Sequence, residues 1–445
     1  MGEFDLEPMR LALSPRHLNR TVSAPRRSRR QHLSNLILIV LAGLTVFNIK
    51  SFWYGIDAAL DGYTDFSAFY SGARIVRDGS GPDLYDYETQ EKLQKQLYAT
   101  AESRTGPAPY YHPPFEILAF LPLTYMPYPR AYWCWVIINL IILLAVPMLL
   151  LPHLMNLRPV YSINVVLSFF GFFPNFIAVY QGQDSIVLLL LFASAFISLK
   201  RGRPFWTGVL LGLGLFRFQL VAPFMLLFLI KRQWKVIQGF SAAALVVGTI
   251  SVFITGWQGS IRYVNFLWEI NQNLTDTAHQ VRFALYPRAM TSLRGLLFTL
   301  SAGHLSDAVI TIISLLGSLL ILLWLYVYLR KRISTAADID MEFSMGIVVV
   351  LLVGFHVHLH DWSLLMLPIL LVSNRLAALN PPLGLELWTL RFTTLLLLMT
   401  PVYVVLIGLE FSSILFIPLL LFGGLIESAK PLSGGSQLSP VGAEG

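Results

Sequence analysis

"RGRPFWTGVLLGLGLFRFQLVAPFMLLFLIKRQW", residues 201–234, poses the question on which the fold turns. Its apolar core, 205–230, is flanked by Lys200, Arg201 and Arg203 on one side and by Lys231, Arg232 and Lys235 on the other. As one tilted helix it would carry the two cationic clusters to opposite sides of a membrane. As a hairpin it keeps both on one side and sets "FRFQL", 216–220, at its tip. Each half is then about 13 residues, short of the roughly 20 that span a bilayer. The tip would sit within membrane depth, where polar groups face protein or a wet cavity. Lys and Arg gather on the cytoplasmic side of membrane proteins, which favours the hairpin.

The rest of the chain supports a membrane setting. Of 445 residues, 55% are hydrophobic and only 13% charged, against about 25% charged in soluble domains. Apolar runs recur throughout, so the chain reads as an all-α, polytopic transmembrane protein of about twelve segments. The net charge of +7 lies mostly in short clusters between apolar runs, which is topology rather than nucleic-acid binding. Cys134 is the single cysteine, so no intrachain disulfide or Cys-based metal site is expected.

Residues 1–32 read as a basic cytoplasmic tail, 33–427 as the transmembrane domain and 428–445 as a disordered Gly/Ser/Pro-rich tail. The run 33–52 reads as an uncleaved anchor, with both termini cytoplasmic in an inner (plasma) membrane. Outer loops cover 54–129 and 257–305. Helices are expected at about 130–151, 160–180 and 185–199. Another broken pair follows at 343–373, interrupted by "GFHVHLHDW" (354–362), with helices at about 388–409 and 411–427.

This threading gathers the costly polar groups on the outer side: Asp57, Asp61 and Asp65, then "GQD" at 182–184, Arg217 with Gln219, and His356, His358, His360 and Asp361. One outward-opening site, partly sunk in the bilayer, is the expectation. From Asp65 the pattern turns helical, with Phe66, Phe69, Ala73 and Val76 on one face and Tyr70, Arg74 and Arg77 opposite. Such a helix would lie on the membrane surface. "PPFEILAFLPLTYMP", 113–127, is too short and proline-bounded to span, and reads as a surface or re-entrant helix.

"DFSAFYSGARIVRDG…DLYD", "YYHPPFEILAFLPLTYMP", "GQDSIVLLLL", the stretch 201–234, "MTSLRGLL" and "HLHDWSLLMLPILL" together resemble glycosyltransferase family 87, in the same order over about 35–375. The resemblance implies a GT-C membrane fold. It also implies transfer of a hexose, typically mannose, from a polyprenyl-phosphate donor to a lipid-linked or cell-envelope acceptor by inverting displacement on the outer face. Where the family pattern has Lys-Pro-Gln, this chain has Arg217-Phe218-Gln219. Where it has Tyr-Pro-Pro, the chain has Tyr111-His112-Pro113-Pro114.

By that resemblance Asp65 is the general base, with Asp61 in reserve. The plainer alternative for Asp65 is a carboxylate complementing a helix dipole. Arg217 and Gln219 would meet the donor phosphate, Arg217 through its planar fork of donors, or else Arg217 forms a buried ion pair with Asp184. Gln183 and Asp184 would orient the sugar or close a tight turn. His358, His360 and Asp361 would touch sugar or phosphate, or hold a hydrogen-bonded turn. Tyr70, Tyr111, His112 and Arg288 are candidate acceptor contacts, although Tyr and Arg are also ordinary interfacial anchors. No cofactor is expected; on a helix His356 and His360 would share a face with Asp361 nearby, which is the one place the sequence offers a divalent metal. A secondary transporter built from broken helices is the rival reading.

Overall fold

A computed structural model describes residues 24–98, 108–330, 338–379 and 384–429. The described residues are helical, with no strand among them. Among the described residues, five helical stretches are long and apolar enough to cross a membrane, with 204–230 taken as one stretch, or seven if two bent pairs each count as one span.

α1 (Ala24–Leu60) starts at the arginine-rich end. α2 (Phe66–Arg77), α3 (Tyr87–Leu97) and the short α4 (Ile117–Phe120) form a cap at its far end. α5 (Tyr128–Leu150) leads back, and α6 (Arg158–Gly171) with α7 (Phe173–Gln181) returns to the cap, bent by 48° between them. α6 and α7 run alongside α1: Ser34 Oγ donates to Asn164 Oδ1 at 2.8 Å, and Tyr180 Oη to the Gly55 carbonyl at 3.1 Å. α8 (Ser185–Lys200) leaves the cap again.

α9 (Pro204–Leu213) and α10 (Phe218–Ile230) then settle the opening question. Lys200 Nζ lies 2.6 Å from Asp340 Oδ1, and Lys231 Nζ lies 2.6 Å from Glu342 Oε1. Asp340 and Glu342 are two residues apart, so the two ends of 204–230 share one level. A straight helix of that length would separate them by about 40 Å. The segment therefore folds back at the 3₁₀ turn Gly214–Arg217. Glycines let α9 pack backbone to backbone: a Cβ on Gly208 would sit 1.9 Å from the Val236 carbonyl of α11 (Trp234–Ile270). Small residues at helix contacts serve this close approach in membranes.

α11 runs past the bundle into the cap, kinking at Gly256 (φ 66°), and its Arg262 pairs with Asp83 there. α12 (Thr277–Phe283) and α13 (Leu293–Ser301) lie at the same level, and α14 (Asp307–Arg330) leads away. α15 (Asp338–Val353) returns to the cap, and α16 (Met366–Leu376) leads back from it. Asn374 near the end of α16 accepts from the Asn156 backbone at 2.9 Å, in the turn between α5 and α6. α17 (Leu385–Leu398) and α18 (Thr400–Gly408) make one more passage, bent by 63°. α19 (Phe416–Leu425) closes the bundle, with Ser428 bonded to Glu386 at 2.9 Å.

Several expectations change. The first helix extends beyond 52 to Leu60, so Asp57 belongs to it. The helix expected at 388–409 is two, because Pro401 follows Met399 in extended backbone (ψ 102°) and restarts the helix at Thr400. α2 does not lie on a membrane surface but is enclosed on both faces. Its polar side is held from within: Gln94 Nε2 donates to Ser71 Oγ at 3.0 Å, Tyr98 Oη to the Ser67 carbonyl at 3.1 Å, and Tyr70 Oη to the Met126 carbonyl at 2.7 Å. Residues 1–23 and 430–445, covering most of the two expected tails, lie outside the described residues.

Candidate active site

Asp65 is the residue before α2, yet its side chain makes no capping hydrogen bond. The carboxylate turns outward instead, and its Oδ2 accepts from Gln183 Nε2 at 2.6 Å. It lines a cavity of about 1050 Å³, shared with Tyr111, Arg288, His358 and His360. These five residues come from distant parts of the chain, and each was a candidate from sequence. Arg288 is the one lysine or arginine among the cavity-lining residues described.

Gln183 and Asp184 reach this place through a sharp helix stop. Gly182 ends α7 in the left-handed region (φ 65°) and passes so close to Phe66 that a Cβ would lie 2.6 Å from Phe66 Cβ. Trp135 Nε1 donates to the Gly182 carbonyl at 2.9 Å, fixing the turn from behind. Glycine alone meets both demands, the backbone angle and the contact.

Arg217 stands at the hairpin tip, behind the cavity wall. It is 3% exposed, and its guanidinium is engaged by protein: Nε donates to Asp184 Oδ1 at 2.8 Å, Nη2 to both Asp184 and Gln183, and Nη1 lies 3.5 Å from Asp361 Oδ1. The structure thus forms the Asp184 ion pair and keeps Arg217 off the cavity surface. Gln183, Asp184 and Asp361 are buried with it and also do not line the cavity. Their polar atoms organise one another, and through Gln183 they hold Asp65. Gln219 lies half-buried in the first turn of α10 and is not a lining residue.

The histidine stretch is not helical until Leu359. Asp361 Oδ2 accepts from the His358 backbone at 2.9 Å and so caps the 3₁₀ turn that begins there. This brings His358 and His360 together as stacked rings with centroids 5.7 Å apart, facing the cavity. Burial lowers the pKa of each, keeping both imidazoles neutral near pH 7. His360 Nδ1 is 3.3 Å from Gln181 Oε1. His356 points elsewhere, to Asn271 Oδ1 at 2.5 Å beneath Arg294.

Other candidates fall outside the cavity lining. Asp57 and Asp61 are exposed near the end of α1, and Tyr70 is committed to Met126. His112 is buried one residue behind the lining Tyr111. Its Nδ1 is 2.9 Å from Glu116 Oε2 and 3.3 Å from Asp184 Oδ2. Burial by itself would lower the His112 pKa, but Glu116 and Asp184 outweigh it and lift it to about 9. Burial would raise Asp184, but Arg217 and His112 hold it well below the usual carboxylate range. Sequence reasoning missed Glu116; its signal was a single charge within the apolar stretch 113–127.

The described residues form a many-helix, largely apolar bundle with a polar site beneath a cap, open to a large cavity. The sequence profile described as glycosyltransferase family 87 matches residues 110–354. The chain belongs to that family of membrane glycosyltransferases. Neither a curated protein nor a solved structure matches it.

Proposed function

We propose that the chain transfers a hexose, mannose in this reading, from a polyprenyl-phosphate donor to a lipid or glycolipid acceptor, with Asp65 as general base. The observation that carries this reading is the Asp65 carboxylate. It is released from capping, oriented by Gln183 and turned into the cavity that holds Arg288 and the two stacked histidines. A general base must be reachable by the proton it takes, and this one is. The acceptor hydroxyl oxygen forms the new bond to the anomeric carbon as the sugar–phosphate C–O bond breaks. The hydroxyl proton passes to Asp65, and the electron pair leaves on the polyprenyl phosphate. Attack from the face opposite the leaving group inverts the anomeric centre.

Arg288 offers a cation to the donor phosphate, since Arg217 is sealed behind the wall. The neutral histidines would hydrogen-bond sugar hydroxyls or phosphate oxygens. Orientation follows from charge: Arg158, Lys200, Lys231 and Arg330 lie at the bundle end away from the cavity, which under the positive-inside rule is the cytoplasmic end. We accordingly read the passages between the two ends as about twelve membrane segments of a plasma-membrane protein, with the site outside and both termini inside.

The test is transfer by the purified chain, in lipid, from polyprenyl-phosphate [¹⁴C]mannose to a membrane-lipid extract, read as a new labelled glycolipid. Failure with that donor, alongside success with another polyprenyl-phosphate hexose, would correct the sugar. Failure with all of them would overturn the reading.

A further inference from the structure

We infer that His112, Glu116 and Asp184 form a binding site for a divalent first-row cation such as Mn²⁺ or Zn²⁺, set directly behind the cavity wall. The three residues are 6%, 5% and 2% exposed, and one ligand atom from each lies within 4.8 Å of the others. His112 Nδ1 lies between the two carboxylates, 2.9 Å from Glu116 Oε2 and 3.3 Å from Asp184 Oδ2. Glu116 Oε1 and Asp184 Oδ2 have no well-aligned hydrogen bond. One ring nitrogen and two carboxylates thus converge in a buried place, where a cation can take the position of a shared proton.

The spacing suits a metal. A cation about 2.1 Å from each ligand places neighbouring ligand atoms about 3.0–3.4 Å apart. One imidazole with two carboxylates suits Mn²⁺ or Zn²⁺ better than Mg²⁺ or Ca²⁺, which prefer oxygen alone. Three protein ligands leave open coordination positions, as in sites where a metal meets water or substrate. Asp184 would serve both neighbours, with Oδ1 on Arg217 and Oδ2 toward the cation.

The experiment is Mn²⁺ titration of the full chain in detergent after EDTA treatment, followed by electron paramagnetic resonance and repeated with Zn²⁺ competition. The expected result is one saturable Mn²⁺ per chain, with affinity weakened at least about tenfold in His112→Ala and in Glu116→Gln. The surface variant Asp276→Asn should bind as the unaltered chain does. Should His112→Ala fail to fold, Glu116→Gln decides alone. Absence of a saturable site, or equal binding in the variants, would mean surface ions only and overturn the inference. Because no substrate is used, the cation site can fail while transfer in EDTA persists, or stand while transfer fails.

Discussion

Gln183 donates to Asp65 Oδ2 at 2.6 Å while its own Oε1 accepts from Arg217. One amide therefore links the exposed edge of the site to the sealed ionic cluster behind it. Gln183→Leu removes both bonds at nearly constant volume. We expect a loss in kcat much larger than the change in KM, because Asp65 keeps its identity but loses its aim. Equal losses in both would assign Gln183 to substrate binding.

Asp65→Asn should lower kcat at least about 100-fold, the usual scale for a lost general base. Thermal stability should stay near that of the unaltered chain. Asp61→Asn, at an exposed position outside the cavity, should leave transfer intact. The reverse ranking in steady-state assays would move the base to Asp61.

Arg217→Gln strands Asp184 and Asp361 in a buried place, with Arg217 and Asp184 side chains each 3% exposed. Breaking one half of such a pair costs about 3–5 kcal/mol. Melting in detergent should show a large drop for the single variant and partial recovery in Arg217→Gln/Asp184→Asn. A near-neutral single variant would contradict the cluster.

His356 sets an acid limit. Its Nδ1 is enclosed and its Nε2 meets Asn271 Oδ1, and burial first, then Arg294 and His358, hold its pKa well below the ordinary 6.5. The unfolded chain binds a proton there that the folded chain refuses. The stabilising contribution is complete above about pH 6.5 and falls as pH drops toward the lower folded value, at up to about 1.4 kcal/mol per pH unit. Melting temperatures measured from pH 7.5 to 5.5 should decline less steeply in His356→Gln. Parallel curves would remove His356 from the acid response.

The hairpin predicts sidedness. In a Cys134→Ser background, Arg201→Cys and Lys235→Cys should react with an impermeant maleimide from one side of the membrane. Glu88→Cys, on the cap helix α3, should react from the other side. Opposite labelling of positions 201 and 235 would restore the single-helix alternative.

The cationic clusters made the hairpin readable, because their placement responds to the membrane and not to side-chain packing. Asp65, Tyr111, Arg288, His358 and His360 were readable as residues, though composition could not show that they share a cavity. Burial of α2 was hidden because its cover, α3 and 114–125, comes from segments whose own patterns do not name a partner. The exclusion of Arg217 from the cavity was equally hidden, since it depends on which way a guanidinium turns at a helix tip. The meeting of Glu116 with His112 and Asp184 joins residues 68 apart in the chain. Only tertiary packing brings those atoms within reach.

Gly182 carries no functional group, yet it decides whether the others are in register. A methyl group there would press on Phe66, the neighbour of Asp65, while forcing the turn that delivers Gln183 and Asp184. Gly182→Ala would keep every reactive atom of the site and spoil the distances between them. The tolerance of this centre is thus narrower than the volume of one carbon atom, and it is enforced by the residue with the least to offer chemically.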